Sequence, residues 1–287
     1  MSLGTTERAA CEELALAPGT EFEGLFRFLP MEEQESQLSL EALLRSLRDI
    51  PLGVSDPSVG IAKLAWWQQE LATAPTAGSQ HPVVRALLES GALEAMDQHA
   101  FGDYLHALVT ELQEEPPVNG GELQARLIRS AGAEARVRAG QGSLSAGQLE
   151  AAGAAARLLE LMRTLARGPR RDSMPVWLPM DLVARHQLRG SGGDDPREQA
   201  PVVADLAGMA LGWRTTQPLE TAEPRTPGER LLVMRDALVG RRLRQASTNP
   251  KNWLRRGGLG GLGDVFSTWR LARRLARAPQ ASRGSAS

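Results

Sequence analysis

The chain has one cysteine, Cys11, among its 287 residues, which excludes an internal disulfide and a zinc site built from cysteines. Lysine occurs only at Lys63 and Lys251, so arginine supplies almost all of the positive charge. The 33 basic and 34 acidic residues nearly cancel, and the net charge of −1 gives no overall field that would attract nucleic acid. We therefore expect no nucleic-acid partner.

Long apolar runs are also missing. No stretch reaches the roughly 18 to 20 uncharged apolar residues that a membrane-spanning helix needs. Acidic residues stand early at Glu7, Glu12 and Glu13, unlike a signal peptide or an arginine-rich transit peptide. We predict a cytoplasmic protein, with peripheral association with the inner membrane as an open alternative.

Runs of β-branched residues are scarce, and helical periodicity dominates the chain. Leu40, Leu43 and Leu47 recur at spacings of three and four, which places them on one face of a helix. Asp56 followed by Pro57 is typical of a helix start, with Asp56 as the N-cap. The pattern predicts an all-α fold, a single-domain bundle of many helices.

Further boundaries follow from periodicity and from glycine and proline. We predict helices over residues 87–112, 122–138, 149–165, 202–213 and 231–243, loops at 168–175, 189–197 and 214–227, and a frayed end over the last ten residues. The predicted domains are an N-terminal extension (1–20), a helical domain (21–247) and a basic C-terminal segment (248–287). A split near residue 118 or 190 is disfavoured, because predicted helices flank both points closely.

Several short segments together resemble the squalene/phytoene synthase family, whose members join two prenyl diphosphates head to head. They are Phe28-Leu29-Pro30, Val54 to Pro57 (VSDP), Lys63 to Leu71 (KLAWWQQEL), His81-Pro82-Val83 and Val176 to Asp181 (VWLPMD). The resemblance implies an isoprenoid-synthase (terpenoid synthase-like) bundle around a central cavity for isoprenoid or lipid ligands. The last segment, after a short basic loop, is most similar to a subgroup that resembles complex I assembly factors, in which the catalytic aspartates are degraded.

Members of this family carry two Asp-x-x-x-Asp pairs on facing helices. The pairs bind magnesium, which neutralises the diphosphate leaving group, and the resemblance implies where they would lie in this chain. Family members carry the first pair at the end of the helix that follows the Phe-Leu-Pro segment, and in this chain Arg48 and Leu52 stand at those positions. Neither residue is an aspartate. Asp49 remains, but it stands alone and one step around the helix.

The second pair falls at Thr164 and Gly168, and Glu160 stands where the family has asparagine. Only Arg163 matches this motif, and the resemblance makes it a possible diphosphate contact. We therefore predict no catalytic residue, no metal site and no cofactor.

Three functions stay open at this point. The first is a non-catalytic protein of the assembly type that binds a lipid or a protein partner. The second is an active prenyltransferase with displaced Mg²⁺ ligands, drawn from Asp49, Glu160 and Asp181. The third is a chain recruited to membranes by its C-terminal segment, with no ligand in the cavity.

The C-terminal segment carries ten basic residues against one acid, Asp264, over residues 241–277. Val265, Trp269, Ala272 and Ala276 share one helical stripe, after a glycine-rich hinge at 257–263. A basic amphipathic helix with an aromatic anchor suits an anionic membrane or a partner groove. The residues predicted for this contact are Trp269, Arg270, Arg273, Arg274 and Arg277. The alternative is a terminal helix that docks on its own domain through Trp269, with its arginines outward.

Other conspicuous residues have structural interpretations. Trp66 and Trp67 point about 100° apart on a helix, so we expect only one of them in the core. We interpret Glu70 as a solvated or ion-paired residue, His81 as a helix start, and the His99, Asp103 and His106 series as surface charge. The remaining helical arginines could bind a diphosphate between facing helices, but solvated helix faces explain them equally well. They are Arg126, Arg129, Arg136, Arg138 and Arg157.

Overall fold

The fold is described from a computed structural model of the chain, which describes residues 3–166, 177–188, 196–219, 222–259 and 261–277. These ranges contain helices and no strand, which confirms the all-α prediction. The α-helices are α1 (Thr5–Ala15), α2 (Glu21–Phe26), α3 (Met31–Arg48), α4 (Ile50–Gly53), α5 (Pro57–Ala77), α6 (Pro82–Glu89), α7 (Ala92–Ala95), α8 (Gln98–Gln113), α9 (Gly120–Leu127), α10 (Ala133–Ala139), α11 (Ala146–Ala166), α12 (Met180–Arg185), α13 (Pro196–Thr216), α14 (Pro227–Thr248), α15 (Pro250–Arg255) and α16 (Leu262–Arg277). None of the described helices is both long and apolar enough to cross a bilayer.

The start of α5 agrees with the sequence prediction. Pro57 is its first residue, and the carboxylate of Asp56 accepts a hydrogen bond from the Ser58 backbone N–H at 2.9 Å. Proline suits this position because the first N–H groups of a helix have no intrahelical partner. The helix continues past Pro75 to Ala77.

The predicted helix over 87–112 is wrong, because three helices share this range. Gly91 takes a left-handed conformation (φ +72°) after α6, and Asp97 caps α8 by accepting hydrogen bonds from the His99 and Ala100 N–H groups. An αL glycine and a strong N-cap both interrupt helical hydrogen bonding. Apolar periodicity continues across the breaks because α6, α7 and α8 all face the same core.

The predicted helix over 122–138 is interrupted by a π-helical turn, π1 (Ile128–Gly132), between α9 and α10. This turn packs against α11, whose alanine-rich sequence permits a close approach. A Cβ atom on Gly153 of α11 would lie 2.2 Å from the carbonyl oxygen of Ala131, so glycine is required there. Extra residues in a helical turn commonly mark such packing or a functional site.

Two large apolar clusters form the core. The first lies among α1, α3, α5, α6 and α8, and the second among α9, α11, α13 and α15. Helix α14 contributes to both, through Leu231, Met234 and Leu238 on one side and Val239 and Leu243 on the other. The first cluster includes Cys11 and Ala15 of α1, so the segment predicted as an N-terminal extension packs into the body. The exact domain boundaries stay a prediction.

The predicted loop at 168–175, most of the loop at 189–197 and the last ten residues lie outside the described residues. Helix α13 extends to Thr216, into the loop predicted at 214–227.

Candidate functional site

Arg48, at the first predicted aspartate position, ends α3 with a buried side chain. Its guanidinium forms ion pairs with three carboxylates: Nη1 lies 2.9 Å from Oε1 of Glu134, Nε lies 3.2 Å from Oε2 of Glu160, and Nη2 lies 3.5 Å from Oε1 of Glu41. These partners come from α10, α11 and α3 itself. Arg48, the last residue of α3, therefore connects this helix to α10 and α11.

Three further arginines complete this group. Arg138 pairs with Glu41 at 2.5 Å and with Glu134 at 2.8 Å. Arg157 pairs with Glu160 at 3.0 Å and donates a hydrogen bond to the Arg48 carbonyl at 3.3 Å. Arg235 of α14 lies 3.7 Å from Glu134. We call the seven residues the central network: Glu41, Arg48, Glu134, Arg138, Arg157, Glu160 and Arg235.

The network keeps the carboxylates of Glu134 and Glu160 ionised. Burial by itself raises the pKa of Glu160, but the guanidiniums of Arg48, Arg157 and Arg235 outweigh it and lower the pKa to about 2. Burial also raises the pKa of Glu134, but the guanidiniums of Arg48 and Arg138 outweigh this effect and hold the pKa well below its ordinary value. At neutral pH the carboxylates of Glu134 and Glu160 are therefore ionised.

Local helical spacing builds parts of the network. Glu134 and Arg138 are four residues apart, and Arg157 and Glu160 are three apart, so each pair shares a helix face. Tyr104 of α8 lies against the network, where its hydroxyl donates to Glu134 at 3.4 Å. The side chain of Arg48 on α3 then joins the two local pairs, through Glu134 of α10 and Glu160 of α11.

Sequence reasoning missed Glu41, Glu134 and Arg235. A usable signal exists for the first two, because each interrupts an apolar helical stripe: Glu41 stands in Leu-Glu-Ala-Leu-Leu and Glu134 in an alanine-rich run. A charged residue in such a stripe is almost never fully buried unless it is paired. The sequence does not identify the partner.

The remaining predicted metal positions supply few oxygen ligands. Asp49 has a half-exposed side chain that pairs with Arg45 at 3.6 Å, and Leu52 is exposed on α4. The Thr164 hydroxyl donates to the Leu161 carbonyl at 2.6 Å. Gly168 lies outside the described residues.

These residues do not fit a magnesium site. Mg²⁺ prefers carboxylate and water oxygens in near-octahedral geometry. The first ligand position holds the guanidinium of Arg48, and the oxygens of Glu160 face two arginines. Within the described ranges no group of three histidine, cysteine, aspartate or glutamate side chains is placed to hold a metal ion.

Arg163, the predicted diphosphate contact, is buried and faces Glu21 of α2. Both terminal nitrogens of Arg163 bind the Glu21 carboxylate, one of them at 3.1 Å, and its Nε donates to the Gly258 carbonyl at 3.3 Å. Glu21 also pairs with Arg242 at 2.7 Å, and Arg242 pairs with Asp264 at 3.0 Å. We call Arg163, Glu21, Arg242 and Asp264 the terminal ion-pair chain, since it connects α11 to α16. A diphosphate contact by Arg163 stays a prediction.

Arg126, Arg129 and Arg136, three arginines of the possible cradle, pair with acids nearer the surface. Arg126 and Arg129 both pair with Glu114, and Arg136 pairs with Glu150 at 3.1 Å. Each of the three thus has a carboxylate partner.

Asp181, the third displaced-ligand candidate, is the second residue of α12 and pairs with Arg185 at 3.7 Å. Its backbone N–H donates to the Val118 carbonyl at 3.0 Å, which ties the tryptophan-leucine-proline segment to the loop before α9. His99 is fully solvated, 3.9 Å from Asp103, in agreement with the surface interpretation.

The two adjacent tryptophans diverge as expected. Trp67 is buried, whereas Trp66 is 45% exposed beside His81. Glu70 accepts a hydrogen bond from the Ser79 hydroxyl at 2.5 Å. Trp66, Glu70, Ser79 and His81 line a surface cleft of about 560 Å³, to which no residue of the central network contributes.

Helix α16 docks on its own domain, as one alternative predicted, but not through Trp269. Its inward residues are Asp264, Thr268, Leu271 and Leu275, while Trp269 is 39% exposed. Arg270 and Arg273 lie on the exposed side with it. Arg274 is exposed, and the side chain of Arg277 lies outside the described residues.

Comparisons with known proteins agree with this architecture. Residues 17–236 match the family model for squalene/phytoene synthase. A crystal structure of a dehydrosqualene synthase in complex with ligand superposes with a TM-score of 0.65 at 14% identity, covering 94% of this chain and 96% of that one. The squalene synthase HpnC from Alicyclobacillus acidocaldarius superposes with a TM-score of 0.50 at 17% identity, covering 94% and 93%. A search of curated protein sequences finds no significant match. The family model spans most of the chain, and the chain therefore belongs to the squalene/phytoene synthase family.

Proposed function

We propose that this chain is a non-catalytic member of its family, in which ion pairs replace the magnesium-binding aspartates and the helical body serves as a binding protein for a lipid or a protein partner. One observation carries the proposal: Arg48 and Glu160, which stand in the two degraded metal motifs, pair directly with each other at 3.2 Å. The contact spans the space between the helices that would hold the metal ions.

The proposal follows from charge compensation. Ionising a prenyl diphosphate releases a polyanion, which needs divalent cations or an equivalent positive charge. A guanidinium at a ligand position repels Mg²⁺, and Glu160 would have to leave Arg48 and Arg157 to bind one. Removing one member of a buried pair costs about 3–5 kcal/mol, because the other charge is left uncompensated.

The arginines of the network are not free to replace the metal. Arg48 and Arg138 both bind Glu41 and Glu134, and Arg157 binds Glu160. An incoming diphosphate would have to displace carboxylates that already occupy these guanidiniums. Such an exchange places a diphosphate, with its several negative charges, in a buried site that already holds three carboxyl groups.

The test is an assay of the purified full-length chain with farnesyl or geranylgeranyl diphosphate and Mg²⁺ or Mn²⁺. We expect no pyrophosphate release above the protein-free control, while an active squalene synthase assayed in parallel releases it. The Asp49→Ala and Glu160→Gln variants should give the same blank result.

Metal-dependent release that disappears in Asp49→Ala or Glu160→Gln would overturn the proposal. It would establish instead an active prenyltransferase with displaced ligands. The variant Glu150→Gln is the matched control, because Glu150 pairs with Arg136 outside the central network.

A further inference from the structure

Helix α16 is fixed to the body along one face. The carboxylate of Asp264 is buried and lies 3.0 Å from both Arg241 and Arg242 of α14. Thr268 is buried, and Leu271 and Leu275 pack against the first apolar cluster. These inward residues recur at spacings of three and four, so the rotation of the helix about its axis is set.

The opposite face is apolar and exposed. Val265, Phe266 and Trp269 have exposed fractions of 43%, 53% and 39%. The rings of Phe266 and Trp269 stack with their centroids 5.7 Å apart. Two stacked aromatic rings next to an exposed valine form a contiguous apolar ridge, and such ridges mark interaction sites.

Two arginines lie on this ridge. The guanidinium of Arg270 sits over the Phe266 ring at 4.4 Å, and that of Arg273 sits over the Trp269 ring at 4.8 Å. Within the described part of the chain, neither arginine pairs with a carboxylate. The rings hold the guanidiniums by cation–π attraction and leave their N–H donors open to an anion.

The C-terminal segment that carries the ridge is strongly basic. Residues 241–277 carry ten basic residues and one acid, and that acid, Asp264, is already compensated by Arg241 and Arg242. Arg244, Lys251, Arg255 and Arg256 are exposed on α14 and α15 and on the turn that follows. A surface that meets this end of the molecule should therefore be anionic and should accept aromatic side chains.

We propose that α16 lays its exposed face on an anionic lipid bilayer, with Phe266 and Trp269 at the level of the headgroups and Arg270 and Arg273 on lipid phosphates. Tryptophan and phenylalanine beside basic residues are typical of helices that lie in the membrane interface. The exposed face carries guanidiniums directly over aromatic rings, an arrangement that matches the phosphate and interfacial layers of an anionic bilayer. The inference does not depend on whether the chain transfers prenyl groups.

The test is co-sedimentation of the full-length protein with vesicles of phosphatidylcholine alone or of phosphatidylcholine with phosphatidylglycerol. We expect binding to the anionic vesicles only, and less binding as salt increases. The double variant Arg270→Gln/Arg273→Gln should bind about 25-fold more weakly, since each basic residue near an anionic surface contributes about fivefold. The double variant Phe266→Ser/Trp269→Ser should lose most of its binding, with an unchanged thermal midpoint, because both rings are exposed.

Matched controls are Trp66→Ser, an equally exposed tryptophan on α5, and Arg129→Gln, an exposed arginine near α9; both should bind like the wild type. The proposal is overturned if the wild type does not bind anionic vesicles at low salt, or if the aromatic variant binds as well as Trp66→Ser. Binding of an acidic protein through α16 without vesicle binding would also overturn it. Pyrophosphate release, measured separately, tests the non-catalytic proposal alone.

Discussion

Arg48 occupies a position that the family resemblance assigns to an aspartate, and this single difference reverses the electrostatics of the site. An aspartate there would place a fourth carboxylate beside Glu41, Glu134 and Glu160, and negative charge would then exceed the three remaining guanidiniums of the network. Arg48 instead brings its own positive charge within 3.5 Å of all three glutamates. The compensation that a metal would provide is therefore built into the chain.

Loss of this guanidinium should be costly. We predict that Arg48→Met lowers the free energy of unfolding by about 3–5 kcal/mol, because buried carboxylates lose their shared partner. Denaturant unfolding followed by circular dichroism measures the change. Arg45→Met is the matched control on the same helix, since Arg45 forms only a partly exposed pair with Asp49 and should change stability by about 1 kcal/mol or less. Equal effects of the two variants would contradict a structural role for the network.

Sequence reasoning found the position of Arg48 but not its surroundings. The family motif indicates a position near the end of the helix that follows Phe28-Leu29-Pro30. This sequence alone shows that the residue there is an arginine and not an aspartate. The contacts with Glu134 and Glu160 depend on where the distant helices α10 and α11 lie relative to α3, which local periodicity does not determine. Arg163 shows the same limit: the motif identifies it, but its partner Glu21 is 142 residues away.

Among the elements, α16 shows why composition alone did not decide whether Trp269 faces its own domain or an external membrane or partner. Its sequence offers an apolar stripe through Val265 and Trp269 and a second, less obvious one through Leu271 and Leu275. The buried acid Asp264 selects between them, because its ion pairs with Arg241 and Arg242 turn the leucine stripe inward. The large aromatic residues are then left on the surface.

If Asp264 fixes α16, its removal should loosen that helix selectively. We predict that Asp264→Asn speeds amide hydrogen exchange over residues 262–277 and leaves exchange in α3, α8 and α11 nearly unchanged. The variant loses the charge that compensates Arg242, so the local docking energy falls. Asp103→Asn is the control, because Asp103 is exposed on α8. Unchanged exchange in α16 would show that Leu271 and Leu275 are sufficient to hold it.

At the scale of the whole molecule, α14 joins the two apolar clusters. Leu238 belongs to the first cluster and Leu243 to the second, five residues further along the same helix. The same helix supplies Arg235 to the central network and Arg242 to the terminal ion-pair chain. Periodicity predicted α14 as a helix, but its central place depends on the order in which distant helices pack, which the sequence pattern does not contain.

This arrangement predicts that the two clusters unfold together. Leu243→Ala removes a fully buried side chain from the second cluster and should cost about 2–5 kcal/mol. Because α14 transmits the loss, the most protected amides of α8 in the first cluster and of α11 in the second should lose protection by the same free energy. Native-state hydrogen exchange in low denaturant measures the protection free energies of the α8 and α11 amides. Leu259→Ala is the control at an exposed residue, and it should change neither free energy by more than about 0.5 kcal/mol. A loss confined to α11 would mean that the clusters are separate folding units and that α14 does not couple them.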